Sequence, residues 1–367
     1  MENIGEFKII KKCIKTKARV STYQLRDRLV NLPIFMPVAT KAAMKGIKNE
    51  DIGHQIVLAN TYHLRNFGKD VKKFMGLDAM LTDSGGFQIG SLVNSEVKEE
   101  GVYFDDGLMT PEDSIKIQNT LGADIIMQLD HVVNPLFDYA FVKEAMERSL
   151  RWLDRCISAH KRKDQILFPI IQGGLHNDLR NHSLQEILKR KPIGIAIGGL
   201  SGGEDKKEFA KTVFDTMNQL PPNMPRYLMG VGYPEDVLIS IALGSDMSDC
   251  VYPPRTARFG RALTDFGDIN LFRNDNKFNL NKIEDNCNCR ACKHSRAFLY
   301  SIKKTTNFCM LVTEHNLRYM ENLTDRIKKA IMEDKFEEFI INYIKKRYQV
   351  VPEWITYALS LVDIEIK

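Results

Sequence analysis

The sequence predicts an α/β protein built on a closed (β/α)8 barrel, and three observations carry that expectation. Short apolar runs recur between Pro33 and Asp249 with helical patterns between them, the alternation of parallel β-α units. Polar residues and glycines gather where the runs end, and in such a barrel the C-terminal strand ends carry the chemistry. No G-x-G-x-x-G phosphate loop follows the first run, which weakens the alternative of an open doubly wound sheet.

The first run spans Pro33 to Thr40 and the second Ile56 to Asn60. The third, Ala79 to Thr82, ends at Asp83-Ser84-Gly85-Gly86-Phe87-Gln88. Asp124 to Leu129 ends at Asp130, and Ile166 to Ile171 ends at Gln172-Gly173-Gly174. Ile193 to Ile197 leads into Gly198-Gly199-Leu200-Ser201-Gly202-Gly203, and Tyr227 to Met229 into Gly230-Val231-Gly232. A weaker eighth run carries Met247 to Asp249.

Between the runs, Thr110-Pro111-Glu112-Asp113 reads as a helix start, with Thr110 the cap, Pro111 in the first turn and acids facing the dipole. Val142 to Ile157 and Pro234 to Leu243 show helical spacing. From Asn270 to Asp285 the chain turns polar and Asn-rich, which sets the expected division: a catalytic core over 1–270, a metal-binding subdomain over 271–320 and C-terminal helices over 321–367. Arg318 to Arg347 carries apolar residues at helical spacing opposite a lysine-bearing face, read as a helix pair packing on the barrel or on a partner chain.

Hydrophobic residues at 44% and charged residues at 27% are ordinary for a soluble globular protein. A net charge of +5 is compatible with a polyanionic partner and too mild to require one. The opening Met1 to Arg19 has charge at both ends and no apolar centre, unlike a secretory leader. No apolar run approaches the roughly 20 residues of a membrane helix, so a cytoplasmic protein without a transmembrane segment is expected.

In such a compartment the cluster Cys287-x-Cys289-x2-Cys292 points to metal rather than disulfide. With His315 it supplies three thiolates and an imidazole, a closed tetrahedral set suited to structural Zn2+. Cys309 is an alternative fourth ligand. His294 is a poorer one, because two residues after Cys292 it would crowd the same turn.

Asp249 precedes Pro253 and Pro254, which are expected to stop any helix or central strand, placing its carboxylate on a loop at the edge of packed structure. Arg255 and Arg258 follow, guanidiniums suited to phosphate or base edges. Asp83 lies in a Gly-Gly turn closed by Phe87, which offers a stacking face. Asp130 and Gln172 would enter the same mouth, a carboxylate and an amide that match the edge of a purine-like base. The loop from Gly198 to Gly203 is expected to add free backbone N–H groups, and Met229 to close the far face of a flat ring. Any one of these is ordinary turn chemistry; their gathering at one end of the runs points to a site.

Together these segments resemble one family. TDSGGFQ (82–88), QLD (128–130), IIQGG (170–174), IGGLSGGE (197–204), RYLMGVG (226–232), SDCVYPPRTARFG (248–260) and the Cys-Cys-Cys-His set are similar to the tRNA-guanine transglycosylases, in order and from about Pro33 to the last helix. Arg151-Trp152-Leu153-Asp154-Arg155-Cys156 and Ser201-Gly202-Gly203 are most similar to the eukaryotic queuine branch, on its catalytic subunit. The resemblance implies a TIM barrel with a zinc-binding subdomain and one structural Zn2+ per chain. It also implies exchange of the wobble guanine of tRNAs with G-U-N anticodons (Asp, Asn, His, Tyr) for queuine, through a covalent aspartyl-ribosyl intermediate.

Carried over residue by residue, it implies Asp249 as nucleophile and Asp83 as general acid/base. Ser84, Gly85, Gly86, Phe87, Asp130, Gln172, Gly199, Leu200, Gly202 and Met229 would bind the base, with glycine at 202 leaving space for queuine's cyclopentenediol. Gly230, Val231, Gly232, Tyr233, Pro234, Glu235, Asp236, Pro254, Arg255, Thr256, Ala257 and Arg258 would contact tRNA. A dimer is implied, a heterodimer with a non-catalytic paralogue if the chain is of the eukaryotic type. The competing expectations are a bacterial-type homodimer inserting the aminomethyl deazaguanine precursor and a tRNA-binding paralogue without catalysis. Three departures from the family pattern stand out: Pro254 replaces its threonine, His131 replaces a second aspartate of the eukaryotic branch, and the gap from Cys292 to His315 is short.

Overall fold

The computed structural model describes residues 3–44, 47–51, 53–91 and 95–366. Eight parallel strands form the barrel: β1 Ile34–Pro37, β2 Val57–Asn60, β3 Met80–Asp83, β4 Ile125–Met127, β5 in two pieces, Ile166–Phe168 and Ile170–Ile171, β6 Ile195–Ile197, β7 Arg226–Leu228 and β8 Met247–Cys250. β8 pairs with β1, Asp249 opposite Met36, and a bridge from Val38 to Leu58 joins β1 to β2, which closes the sheet. β5 breaks at Pro169, which has no N–H to give. Gln128 repairs the ladder there: its backbone N–H donates to the Phe168 carbonyl at 3.1 Å and its Oε1 accepts the Ile170 N–H at 2.9 Å.

Side chains alternate across each strand. Ile34, Met36, Leu58, Leu81, Ile125, Met127, Phe168, Ile170, Ala196, Tyr227 and Met247 fill the interior, together with Tyr23, Leu25, Val30 and Leu32. Tyr23, Val30 and Leu32 belong to an antiparallel sheet of Phe7–Lys12, Arg19–Gln24 and Leu29–Leu32, and Leu25 to the turn between its last two strands. Phe35, Ile195, Ile197 and Leu228 face outward into the apolar layer shared with the surrounding helices.

Those helices are α1 Pro111–Leu121, α2 Tyr139–Ala159, α3 Asn177–Lys189, α4 Lys206–Gln219 and α5 Pro234–Ala242. Thr110 caps α1 as expected, and it does so in a reciprocal box with Asp113. Beyond β8 come α6 Tyr252–Arg258, α7 Thr306–Met332, α8 Phe336–Arg347 and α9 Glu353–Ser360. α7 packs on β1 and α6, carries His315, and runs unbroken through position 320. The helical pattern expected over Arg318 to Arg347 is thus two helices, separated near Asp334, which takes a left-handed φ of 57°.

Two expectations about the Asp249 segment are corrected. Asp249 lies on strand β8 itself, not on a loop. Pro253 and Pro254 open a helix, α6, instead of stopping one, because first-turn N–H groups have no intrahelical acceptor to lose. Pro254 therefore costs α6 no hydrogen bond. Among the described residues no helix is long and apolar enough to cross a membrane.

Candidate active site

Strand parity decides which side chains reach the mouth. Leu58, Leu81, Ile170, Tyr227 and Met247 point inward, so two residues further on Asn60, Asp83, Gln172, Met229 and Asp249 turn into the C-terminal end of the barrel. Asp83 is partly buried and accepts three hydrogen bonds, from Asn60 Nδ2 at 2.6 Å, the Thr61 N–H at 3.0 Å and the Gly85 N–H at 3.2 Å. Desolvation outweighs these donors and pushes its carboxyl up to about 7, with the charge of Asp249 adding to the rise. Asp249 accepts from the Tyr227 hydroxyl at 2.6 Å and the Gly230 N–H at 2.9 Å. Burial raises its pKa as well, and the two donors pull it back toward the anion.

Beside this pair, Gln172 Nε2 donates to Asp130 Oδ2 at 2.6 Å, and the Ser84 hydroxyl approaches Asp130 Oδ1 at 3.5 Å. Asp130 is buried, and desolvation pushes it up to about 6. Glycine is required around it. A Cβ on Gly86 would fall 2.6 Å from Asp130 Oδ1, and one on Gly199 would strike Gln172 Oε1. Met229 Sδ and Gln172 Nε2 both border Gly198, and Phe87, 66% exposed, stands open at the rim where a ligand can reach its face.

The expectation of a whole loop of free N–H groups is corrected. Gly198 donates to the Ile171 carbonyl at 3.1 Å, and the Glu204 carboxylate takes Ser201 at 2.5 Å and Gly202 at 2.8 Å. Among the described residues the N–H groups of Gly199 and Leu200 alone within 198–202 meet no acceptor. His131 is buried, its backbone N–H on Ser149 Oγ at 2.9 Å and its Nδ1 facing Arg148 Nη1 at 3.1 Å. Burial and the Arg148 charge push the imidazole down to about 4, so at neutral pH it adds no charge beside Asp130.

The segments expected to contact RNA divide by exposure. Arg255, Arg258 and Tyr233 are exposed, and Tyr233 packs on Tyr252 with ring centroids 4.2 Å apart. Thr256, Ala257 and Val231 are buried. Glu235 is held by the Tyr348 hydroxyl at 3.0 Å and by Arg347, and Asp236 by Lys206, so both acids are engaged inside the protein. Gly230 serves Asp249 directly.

Motif reading did not single out Asn60, Thr61 and Tyr227 as site residues. The signal for two of them was parity: Asn60 and Tyr227 are polar groups at interior-facing strand positions.

Apart from the mouth, the ligand atoms of Cys287, Cys289, Cys292 and His315 lie within 4.8 Å of one another and all four residues are buried. The Sγ atoms are 3.7, 3.6 and 3.4 Å from His315 Nδ1. A tetrahedral ion with ordinary Zn–S and Zn–N bonds spaces such atoms by about 3.6 Å. His315 Nε2 donates to the Leu263 carbonyl at 2.8 Å, which fixes the tautomer that leaves Nδ1 free to ligate. The donor set fits a metal ion. Cys309 lies outside the set, and His294 is stacked on Phe298 at 4.2 Å.

Residues 13–349 match the family model for queuine tRNA-ribosyltransferase. The chain belongs to this family. It is 45% identical to the queuine tRNA-ribosyltransferase catalytic subunit of Schizosaccharomyces pombe over 98% of both chains. It is also 45% identical to that of Caenorhabditis elegans, over 94% of this chain and 95% of the relative. The queuine tRNA-ribosyltransferase of Deinococcus radiodurans is 41% identical over 94% of this chain and 93% of its own. Family membership makes the chain a pentosyltransferase on a (β/α)8 barrel.

Proposed function

We propose that this chain exchanges the wobble guanine of tRNAs with G-U-N anticodons for queuine. The observation that carries the reading is two carboxylates in one mouth with different surroundings. Burial raises both carboxyls, and the charge of Asp249 is among the causes that bring Asp83 to about 7, so with Asp249 ionised and held by two donors Asp83 carries a proton about half of the time at neutral pH. This is the split of roles that retaining glycosyl transfer needs.

In this reading the Asp249 carboxylate attacks C1′ of the ribose as the bond to guanine breaks. The electron pair of that bond leaves on the base, and Asp83 supplies a proton to it. An incoming base gives a proton to Asp83 and attacks the same carbon, and the ester bond breaks to return Asp249 as carboxylate. One glycosidic bond replaces another, so the balance requires no ATP and no oxidant.

Asp130, Gln172 and the N–H groups of Gly199 and Leu200 read the base edge, with Phe87 and Met229 on its faces. Arg255, Arg258 and Tyr233 hold a splayed anticodon loop. Cys287, Cys289, Cys292 and His315 hold Zn2+ in a closed set, which stabilises the fold and leaves no coordination position for substrate. The two eukaryotic relatives are named as catalytic subunits, which supports pairing with a non-catalytic partner chain.

Exchange of labelled guanine into tRNA by wild type and Asp249→Asn tests the reading. Exchange and a trapped protein–RNA adduct are expected in the wild type alone. Exchange surviving in Asp249→Asn overturns the nucleophile, and none in the wild type overturns the function.

A further inference from the structure

We propose that Arg180 is a positioning residue for base recognition: its buried guanidinium turns the Gly198–Gly199 peptide so that the Gly199 N–H faces the incoming base. The inference deepens the base-exchange reading above and rests on it.

Arg180 lies on α3 and is only 1% exposed. Its Nη1 donates to the carbonyls of Gly174 and Gly198, each at 3.1 Å, and its Nε to Thr216 Oγ1 at 3.0 Å. Thr216, on α4, in turn donates to the Thr212 carbonyl at 2.7 Å, which leaves its lone pairs for the arginine. Among the described residues Arg180 makes no ion pair, and the charge acting on it is that of Glu204, which is occupied with Ser201 and Gly202. A desolvated guanidinium without a salt bridge is costly. This one is kept where the two glycine loops of the site meet.

The consequence follows from peptide geometry. In a trans peptide unit the C=O and the N–H point in opposite directions. With the Gly198 carbonyl drawn down onto Arg180, the N–H of Gly199 is directed away from the arginine, and among the described residues it meets no acceptor. The same bond polarises the amide and makes that N–H a stronger donor. One turn along α3, Ser183 Oγ accepts the Gln172 backbone N–H at 3.3 Å, so one helix face holds the backbone at Gln172 as well as the Gly198 carbonyl. Gly173 allows this contact, since a Cβ there would fall 2.8 Å from the Arg180 nitrogen. Lysine keeps the charge and loses the planar fork that spans two carbonyls and a hydroxyl.

The test is steady-state guanine exchange by wild type, Arg180→Lys and Thr216→Val, with KM for guanine, KM for tRNA, kcat and Tm measured on each. Arg180→Lys is expected to raise KM for guanine by about tenfold while KM for tRNA stays within about twofold. Thr216→Val, which removes the acceptor that aims Nε, is expected to give a smaller rise in the same constant. A purely structural role moves Tm and both KM values together, and that outcome overturns the inference, as does an unchanged KM for guanine in a folded variant. If Arg180→Lys does not fold, Thr216→Val decides. No exchange by the wild type sinks the base-exchange reading and this inference with it. Normal wild-type exchange with no selective loss sinks this inference alone.

Discussion

The Tyr227 hydroxyl donates to the Asp249 carboxylate over 2.6 Å, from one barrel strand to its neighbour. An O–H donor to a carboxylate at this distance in a dry site is a strong bond. Tyr227→Phe is expected to lower kcat/KM by roughly tenfold. The phenol also pulls the Asp249 pKa down, so its loss moves the acidic limb of the rate profile to higher pH. An acidic limb that stays in place shows that the bond does not tune the nucleophile.

Asp83 sits near 7, and in the proposed exchange it is protonated when guanine departs, whereas Asp249 is ionised to attack. Activity therefore falls on the alkaline side as Asp83 loses its proton, and on the acidic side as Asp249 gains one. A bell-shaped dependence of kcat/KM on pH is expected, its alkaline limb close to 7, with apparent values that belong to the pair. A profile flat between about pH 6 and 8 removes Asp83 from the role of acid.

A Cβ at position 202 would meet Pro135 Cδ at 2.5 Å, on the loop that follows Asp130. Gly202→Ala must therefore shift one wall of the site. It is expected to raise KM for queuine by about fivefold and to affect guanine less, because queuine carries the bulkier substituent. Competition between the two bases in one reaction checks this, and equal losses would place Gly202 in folding alone.

His315 of the Cys3His cluster is followed on α7 by Asn316, whose side chain donates to the carbonyls of Pro253 and Arg261 at 3.0 Å each. The Cys3His set is thereby tied to α6, which carries Arg255 and Arg258. Cys292→Ser is expected to lower zinc content well below one per chain and Tm by on the order of 5–10 °C. KM for tRNA should rise more than KM for guanine. Atomic spectroscopy and melting curves measure the first two, and a variant that retains zinc and Tm refutes the ligand set.

Much of this was legible in the chain. Alternating apolar runs with glycine-rich ends foretold the barrel, and residues at strand ends such as Asp83 and Gln172 proved to share one mouth. The two prolines after Asp249 misled because a proline ends a helix or begins one according to position, and position depends on where the preceding strand stops. The free N–H groups expected along 198–203 were partly taken by Glu204, whose return onto Ser201 and Gly202 is a matter of loop conformation, not composition.

By itself the sequence determined the class of fold, the metal-binding spacing and, through period-two alternation, which strand residues look into the barrel. These are properties of a single segment, and local backbone geometry enforces them wherever the segment lies. Only the tertiary structure decided that Tyr227 serves Asp249, that Arg180 lies beneath two loops, and that Cys309 stands outside the metal set. Those pairings join residues on different elements or loops of the chain. They depend on barrel closure and on how deeply each polar group is withdrawn from water, because a buried donor must take whatever acceptor the fold brings near it.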